Sequence, residues 1–221
     1  HRQGFRILLN YSGAPDELAG DQAFPDYADF VGQVAALGAD AIQVWDAPNL
    51  SSKWGSGQID PASYVDLLRQ AYEAIKAASD ETMVISAALA PTNGQSSLGS
   101  DQMWNDDLFY AGMAEAGAAD YADCIGVNYY EGTVDPTLTE GDARGNTATR
   151  YFVPMLQRAA AQFRSQPVSL CLTEFGYLSP EGLSASLPDE FAWAKDTTVA
   201  HQAEWLATGI ETAARLSSVR V

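Results

Sequence analysis

A glutamate closes the apolar run Leu170-Cys171-Leu172-Thr173-Glu174-Phe175-Gly176-Tyr177. A carboxylate where a buried strand gives way to its loop is costly unless it is paired or used. Glu174 is therefore a candidate functional residue, with a loop carboxylate capping backbone amides as the plainer alternative. A second apolar run, Ile42-Gln43-Val44-Trp45-Asp46-Ala47-Pro48-Asn49-Leu50, carries an indole, a carboxylate and an amide into a loop. Other catalytic templates fail. Histidine occurs only as His1 and as His201, and neither has a Cys, Asp or Glu at metal-ligand spacing, so no metal is expected. No Gly-x-Ser-x-Gly elbow occurs, and no His follows an apolar run, which argues against a Ser-His-Asp triad. No glycine-rich dinucleotide fingerprint or P-loop follows any such run, so no cofactor is expected.

The elements that must position these residues follow from periodicity. Short, β-branched apolar runs predict strands near 5–10, 41–46, 82–88, 123–129 and 168–173, with another starting at 218–221. Between them, apolar residues at helical spacing predict helices near 25–37, 61–78, 106–117, 149–164 and 197–216. The clearest begins after Asp60, a good N-cap, with Pro61 at the first helical position and a stripe of Tyr64, Leu67, Leu68, Ala71, Tyr72 and Ile75. The last helix has its stripe in Val199, Ala203, Leu206, Ile210 and Ala213. Strict βαβα order implies parallel strands. Long loops rich in Gly, Pro, Asn and aromatics follow the strands, and short ones follow the helices. That inequality marks the carboxyl ends of the strands as the functional face.

The 221 residues include 12 Lys and Arg against 29 Asp and Glu, a net charge of −17. Such a surface repels phosphate backbones and acidic lipid, so no nucleic acid is expected as a partner. No apolar run reaches the length of a membrane span. Cys124 and Cys171 each lie in an apolar strand run; buried free thiols are the expectation, and a disulfide is the alternative that an exported protein would allow.

The two strand ends together bring a family into view. The chain resembles the (β/α)8 retaining glycosidases of the large clan that includes cellulases and glycoside hydrolase family 39, especially family-39-like extracellular bacterial proteins. Those carry Trp-Asn-Glu-Pro-Asn after the fourth strand, with the Glu as general acid/base, and Thr-Glu-Phe/Leu-Gly after the seventh, with the Glu as nucleophile. Trp45, Pro48 and Asn49 match the first motif, and Thr173-Glu174-Phe175-Gly176 matches the second. The resemblance runs over nearly all of 1–221, through Ile85 to Thr92, Asp123 to Tyr129, Leu178 to Gly182 and Phe191 to Ala194.

It implies a single domain, 1–221, forming an incomplete (β/α)8 TIM barrel: strands three to seven and the start of the eighth. The strand-to-strand period agrees, since roughly 40 residues per unit would need about 320 for eight units. Two units before His1 and the end of the last strand would then be lacking, and a protein partner is expected over the open barrel edges. The resemblance also implies an oligo- or polysaccharide with β-linkages as the ligand and an extracellular or cell-surface location.

Where the family has Asn-Glu, this chain has Asp46-Ala47. Glu174 keeps the nucleophile's role, while Ala47 cannot donate a proton, and Asp46 and Glu131 are weaker candidates to replace the acid. Natural degeneration into a non-catalytic glycan-binding or structural subunit, engineered removal of the acid, which leaves Asp for Asn unexplained, and a misread Asn-Glu, Asn and Asp being isosteric, are the three accounts of Asp46-Ala47. The expected binding residues are Trp45, Asn49, Trp54, Asn128, Tyr129, Tyr130, Glu131 and Tyr177, aromatic faces for pyranose rings and amides or a carboxylate for hydroxyls. Tyr129 packing in the core is the alternative for that ring, as it is for Trp45.

Overall fold

The computed structural model describes residues 4–55, 57–184 and 186–220; His1 and Val221 lie outside them. The elements run β1 (Leu8–Tyr11), α1 (Ala23–Ala36), β2 (Ala41–Val44), the one-turn α2 (Ser51–Trp54), α3 (Pro61–Ala78), β3 (Met83–Ser86), the one-turn α4 (Gln95–Leu98), α5 (Asp106–Glu115), β4 (Ile125–Tyr129), α6 (Phe152–Gln162), β5 (Leu170–Phe175), α7 (Val199–Arg215) and β6 (Val219–Arg220). Short 3-10 turns lie at Pro15–Leu18, Ala118–Tyr121, Ala148–Arg150 and Asp189–Ala194. All expected strands and long helices are present in the expected order. The strands form two three-stranded parallel sheets, β1-β2-β3 and β4-β5-β6. Isolated parallel bridges Ile85↔Cys124 and Leu89↔Val127 join β3 to β4. Gly126 permits that approach, because a Cβ there would stand 2.3 Å from the Ser86 carbonyl oxygen.

Local chemistry explains the helix boundaries. The Asp60 carboxylate accepts from the amides of Ala62 and Ser63 at 3.2 and 3.1 Å, with Pro61 in the first turn. Tyr64, Leu67, Leu68, Ala71 and Ile75 of α3 are buried as their spacing predicts, and Tyr72 packs at the margin. The last helix differs from expectation. Its buried face is Trp205, Gly209 and Ala213, whereas Val199, Ala203 and Ile210 are exposed. The bulkiest ring decides the rotation: Trp205 packs on Tyr177, and Phe175 fills the space where a Cβ on Gly209 would lie.

A repeated device joins the carboxyl ends of the strands, where ladder bonds run out. The Tyr27 hydroxyl of α1 donates to the Tyr11 carbonyl and accepts from the Trp45 amide, bridging β1 to β2. Tyr64 of α3 likewise donates to the Val44 carbonyl and accepts from the Ala87 amide. Tyr110 of α5 donates to Gly126 and accepts from Leu89. Each phenol bonds two backbone groups, one on each of two neighbouring strand ends, and at Tyr27 it supplements the direct bond from the Trp45 amide to the Tyr11 carbonyl.

The cysteines correct the free-thiol expectation: Cys124 and Cys171 form a disulfide across 47 positions. They are neighbours because β4 pairs with β5, with Ile125 opposite Leu170 and Gly126 opposite Cys171. That proximity is a property of strand pairing that neither run reveals alone. Among the described residues no helix is long and apolar enough to cross a membrane.

Candidate functional site

Glu174 owes its position to an irregularity in β5. The register runs Val127↔Leu172 and then Asn128↔Glu174, so Thr173 is an extra residue on β5. A bulge of this kind re-aims the side chain that follows it. Here it sets Glu174 opposite Asn128, while the Thr173 hydroxyl donates to Asn128 Oδ1 at 3.0 Å.

The β2 end is shaped by backbone strain. Trp45 and Ala47 have φ of 70° and 44°, the only non-glycine residues at positive φ among those described. Such positions persist where surrounding contacts over-determine them and they cluster at functional sites. The contacts are explicit. The Trp45 amide bonds to both Tyr11 O and Tyr27 Oη, its indole donates to the Lys53 carbonyl at 3.1 Å, and the Ala47 amide donates to Ala88 O at 2.9 Å. Between the two strained residues, Asp46 meets Lys53 Nζ at 3.3 Å. Lys53 is brought back over the strand end by α2.

These segments form one electrostatic unit. Partial desolvation raises the Glu174 carboxyl above its ordinary range, the charge of Asp46 raises it further, and Lys53 opposes both. The Tyr130 phenol is pushed up to about 12, first by burial and then by Glu131, Glu174 and Asp46. Glu131 is raised by burial and moderated by Arg144 and Arg150. The linked groups are Glu174, Asp46, Lys53, Tyr130 and Glu131, with Asn128 opposite Glu174 in register. They offer an ionisable carboxylate near a second carboxylate and a single cation. Ala47, 6% exposed, contributes no proton donor. Among the described residues no group of three or more His, Cys, Asp or Glu gathers as a metal site would require.

Several expected binding residues are buried in the core. Trp45 is 1% exposed, and Trp54, Tyr129 and Tyr177 are also buried in the main core. Trp45 and Trp54 pack edge to face, and the Tyr129 hydroxyl is committed to the Arg150 carbonyl. Asn49 is 0% exposed and holds loops together: its amide donates to Ala90 O and Trp104 O, and its oxygen accepts from the Ala90 amide. Aromatic and amide residues near strand ends serve packing and ligands equally well by type; only burial separates the two uses. Lys53 was missed by sequence reasoning, although it is the one Lys or Arg between positions 41 and 60. The Thr173 bulge left no signal in the apolar pattern.

No family model and no curated protein matches the chain. Solved structures do. The chain superposes on a family 39 glycoside hydrolase from Bacteroides cellulosilyticus with a TM-score of 0.61 at 17% identity, over 99% of its own length and 43% of that chain. A glucosidase from Croceicoccus marinus gives 0.53 at 15% identity, covering 85% of this chain and 37% of the other. A β-glucanase from Saccharophagus degradans gives 0.53 at 12%, covering 100% and 60%. The fold is that of glycoside hydrolases, and the chain spans less than two thirds of each of these relatives.

Proposed function

We propose that this chain is the greater part of a (β/α)8 glycosidase barrel of the family 39 type acting on or binding a β-linked glycan, with β1 to β6 as strands three to eight. Glu174 is its nucleophile and Ala47 occupies the acid/base position. The observation that carries the reading is the bulge-delivered Glu174 set in one field with Asp46 and Tyr130 at the carboxyl ends of parallel strands.

In the retaining reaction two carboxyl groups about 5–5.5 Å apart divide the work, one attacking the anomeric carbon and one protonating the leaving oxygen. The Glu174 carboxylate forms the ester bond to the anomeric carbon as the bond to the leaving oxygen breaks. With Ala47 in place of the acid, that oxygen departs unprotonated, at a cost of about 10²–10⁴ in rate, more for poor leaving groups. Good leaving groups therefore still react, and azide attacks the glycosyl ester to release Glu174 and a β-glycosyl azide. The test is turnover of a panel of activated aryl β-glycosides with and without azide. Rate enhancement by azide and labelling of Glu174 by a fluorosugar inactivator are expected. Absence of both would remove the catalytic reading and leave the second one, a non-catalytic glycan-binding or structural subunit, which Ala47 itself favours.

The Cys124–Cys171 disulfide supports an extracellular or cell-surface location, since such bonds persist in oxidising compartments. Exposed Phe5, Ile7, Leu8 and Leu9 around the unpaired edge of β1 support a protein cover there.

A further inference from the structure

Apart from the Glu174 centre, and sharing none of Glu174, Asp46, Lys53 or Tyr130, a cleft of about 470 Å³ opens between the long β4–α6 loop and the amino end of α7. Two flat rings line it. The His201 imidazole lies parallel on the indole of Trp205, 4.8 Å between centroids with 1° between planes, and the exposed imidazole forms the accessible surface of that stack. The second ring is Trp193, against which the Arg144 guanidinium packs at 4.4 Å.

Arg144 is itself fixed with unusual effort for a loop residue. Its Nε and Nη2 donate to the two carboxylate oxygens of Asp142 at 2.9 and 2.6 Å, and its Nη2 also reaches the Glu131 carbonyl. The Asp142 side chain is 1% exposed and also accepts from the Thr133 hydroxyl at 2.8 Å and the Arg144 amide at 2.8 Å. Burial acts to raise this carboxyl, but the hydrogen bonds from Arg144 and Thr133 prevail and hold it at about 2. A buried ion pair is poor value as a source of stability alone. Here it immobilises the indole that walls the cleft, and a pre-ordered platform loses less entropy on binding.

The polar groups complement the rings. Asp135 Oδ1 is held by the Thr137 amide and hydroxyl at 2.8 and 2.5 Å, which orients the carboxylate and leaves Oδ2 unused among the described contacts. Asp196, with the Lys195 ammonium 3.8 Å from its Oδ2, also lines the cleft, its side chain 87% exposed and free to offer Oδ1. Flat apolar rings meet the C–H face of a sugar ring, and carboxylates accept from its hydroxyls. The same carboxylates repel uronic acids and sulfated sugars. We propose that this cleft is a second saccharide-binding site, for a neutral glycan, acting independently of the Glu174 centre.

The test is affinity electrophoresis of the whole chain through gels containing, in turn, soluble β-glucan, xylan, galactomannan and polygalacturonate. The wild type should be retarded in at least one neutral gel and not by polygalacturonate. Trp193→Ala and His201→Ala should each weaken that retardation by roughly tenfold in affinity, about 1.4 kcal/mol. His201 is exposed, so its variant keeps the test valid if loss of Trp193 loosens Arg144, and melting curves verify that both are folded. Each variant is read against its own mobility in a gel without polysaccharide, since Glu174→Gln carries one negative charge fewer, and on that footing Glu174→Gln should keep the retardation due to this cleft. Free migration of the wild type in every neutral gel, retardation by polygalacturonate, unchanged retardation in His201→Ala, or its loss in Glu174→Gln would each overturn the proposal. Azide rescue is read separately, so failure at the Glu174 centre and failure at this cleft are distinguishable.

Discussion

Two charged neighbours act on Glu174 in opposite senses, and their removal should move its titration in opposite directions. Asp46 raises the Glu174 carboxyl and Lys53 lowers it. If Glu174 is the nucleophile proposed above, it works only when ionised, and the acidic limb of kcat/KM reports its pKa. Asp46→Asn removes a like charge, and the acidic limb should shift to lower pH. Lys53→Met removes the compensating cation and leaves Asp46 unpaired, and the limb should shift to higher pH. Release of the phenol from an activated aryl glycoside without azide, followed between about pH 3 and 8 to span the carboxylate range, reads both shifts. Shifts of the same sign in the two variants would mean that the limb belongs to another group. Glu174 was legible from sequence because a carboxylate at the end of an apolar run is costly without a use. Lys53 was not, because its relation to Asp46 depends on the single turn of α2 folding back.

At the level of elements, the carboxyl ends of the strands are held by side chains from the helices. Tyr64 joins β2 to β3 through two backbone groups, both buried. Tyr64→Phe keeps the ring packing and leaves the Val44 carbonyl and Ala87 amide without that partner, a loss of about 1–3 kcal/mol. The midpoint of urea unfolding measures it, and an unchanged midpoint would deny the phenol this role. The disulfide acts on the same layer from below, tying the strand that bears Glu174 to β4. Chain entropy for a loop of 47 positions predicts a loss of about 4 kcal/mol for Cys124→Ala combined with Cys171→Ala. Comparing wild type with and without reductant against the double variant tests it, because reductant should lower only the wild-type midpoint. Helical and strand periodicity placed these elements in the sequence. The rotation of α7 escaped it, because Val199, Leu206 and Ile210 make as good an apolar stripe as the face that Trp205 and Gly209 actually bury.

For the molecule as a whole, charge and edges oppose one another. The net charge of −17 keeps copies apart at neutral pH, while among the described residues β1 pairs on one side only and exposes Phe5 at 75% with Ile7, Leu8 and Leu9 beside it. Protonating the carboxylates, at about pH 4, removes the repulsion and leaves the edge. Light scattering should therefore rise steeply as the pH falls toward that value, and Leu8→Lys should suppress the rise. Equal scattering by wild type and Leu8→Lys would place the sticky surface elsewhere.

The sequence by itself determined the order of strands and helices and their parallel arrangement, and it singled out the carboxyl ends of the strands and Glu174 as the candidates for function. These follow from local periodicity, loop length and the cost of a charge at a strand end, all of which are properties of neighbouring residues. Tertiary structure alone decided which aromatics are scaffold, that Cys124 meets Cys171, that the Thr173 bulge turns Glu174 toward Asn128, and that Asp142 and Arg144 brace Trp193. Each of those depends on register or burial between segments far apart in the chain, and a side chain's type does not encode which of its possible neighbours it will meet.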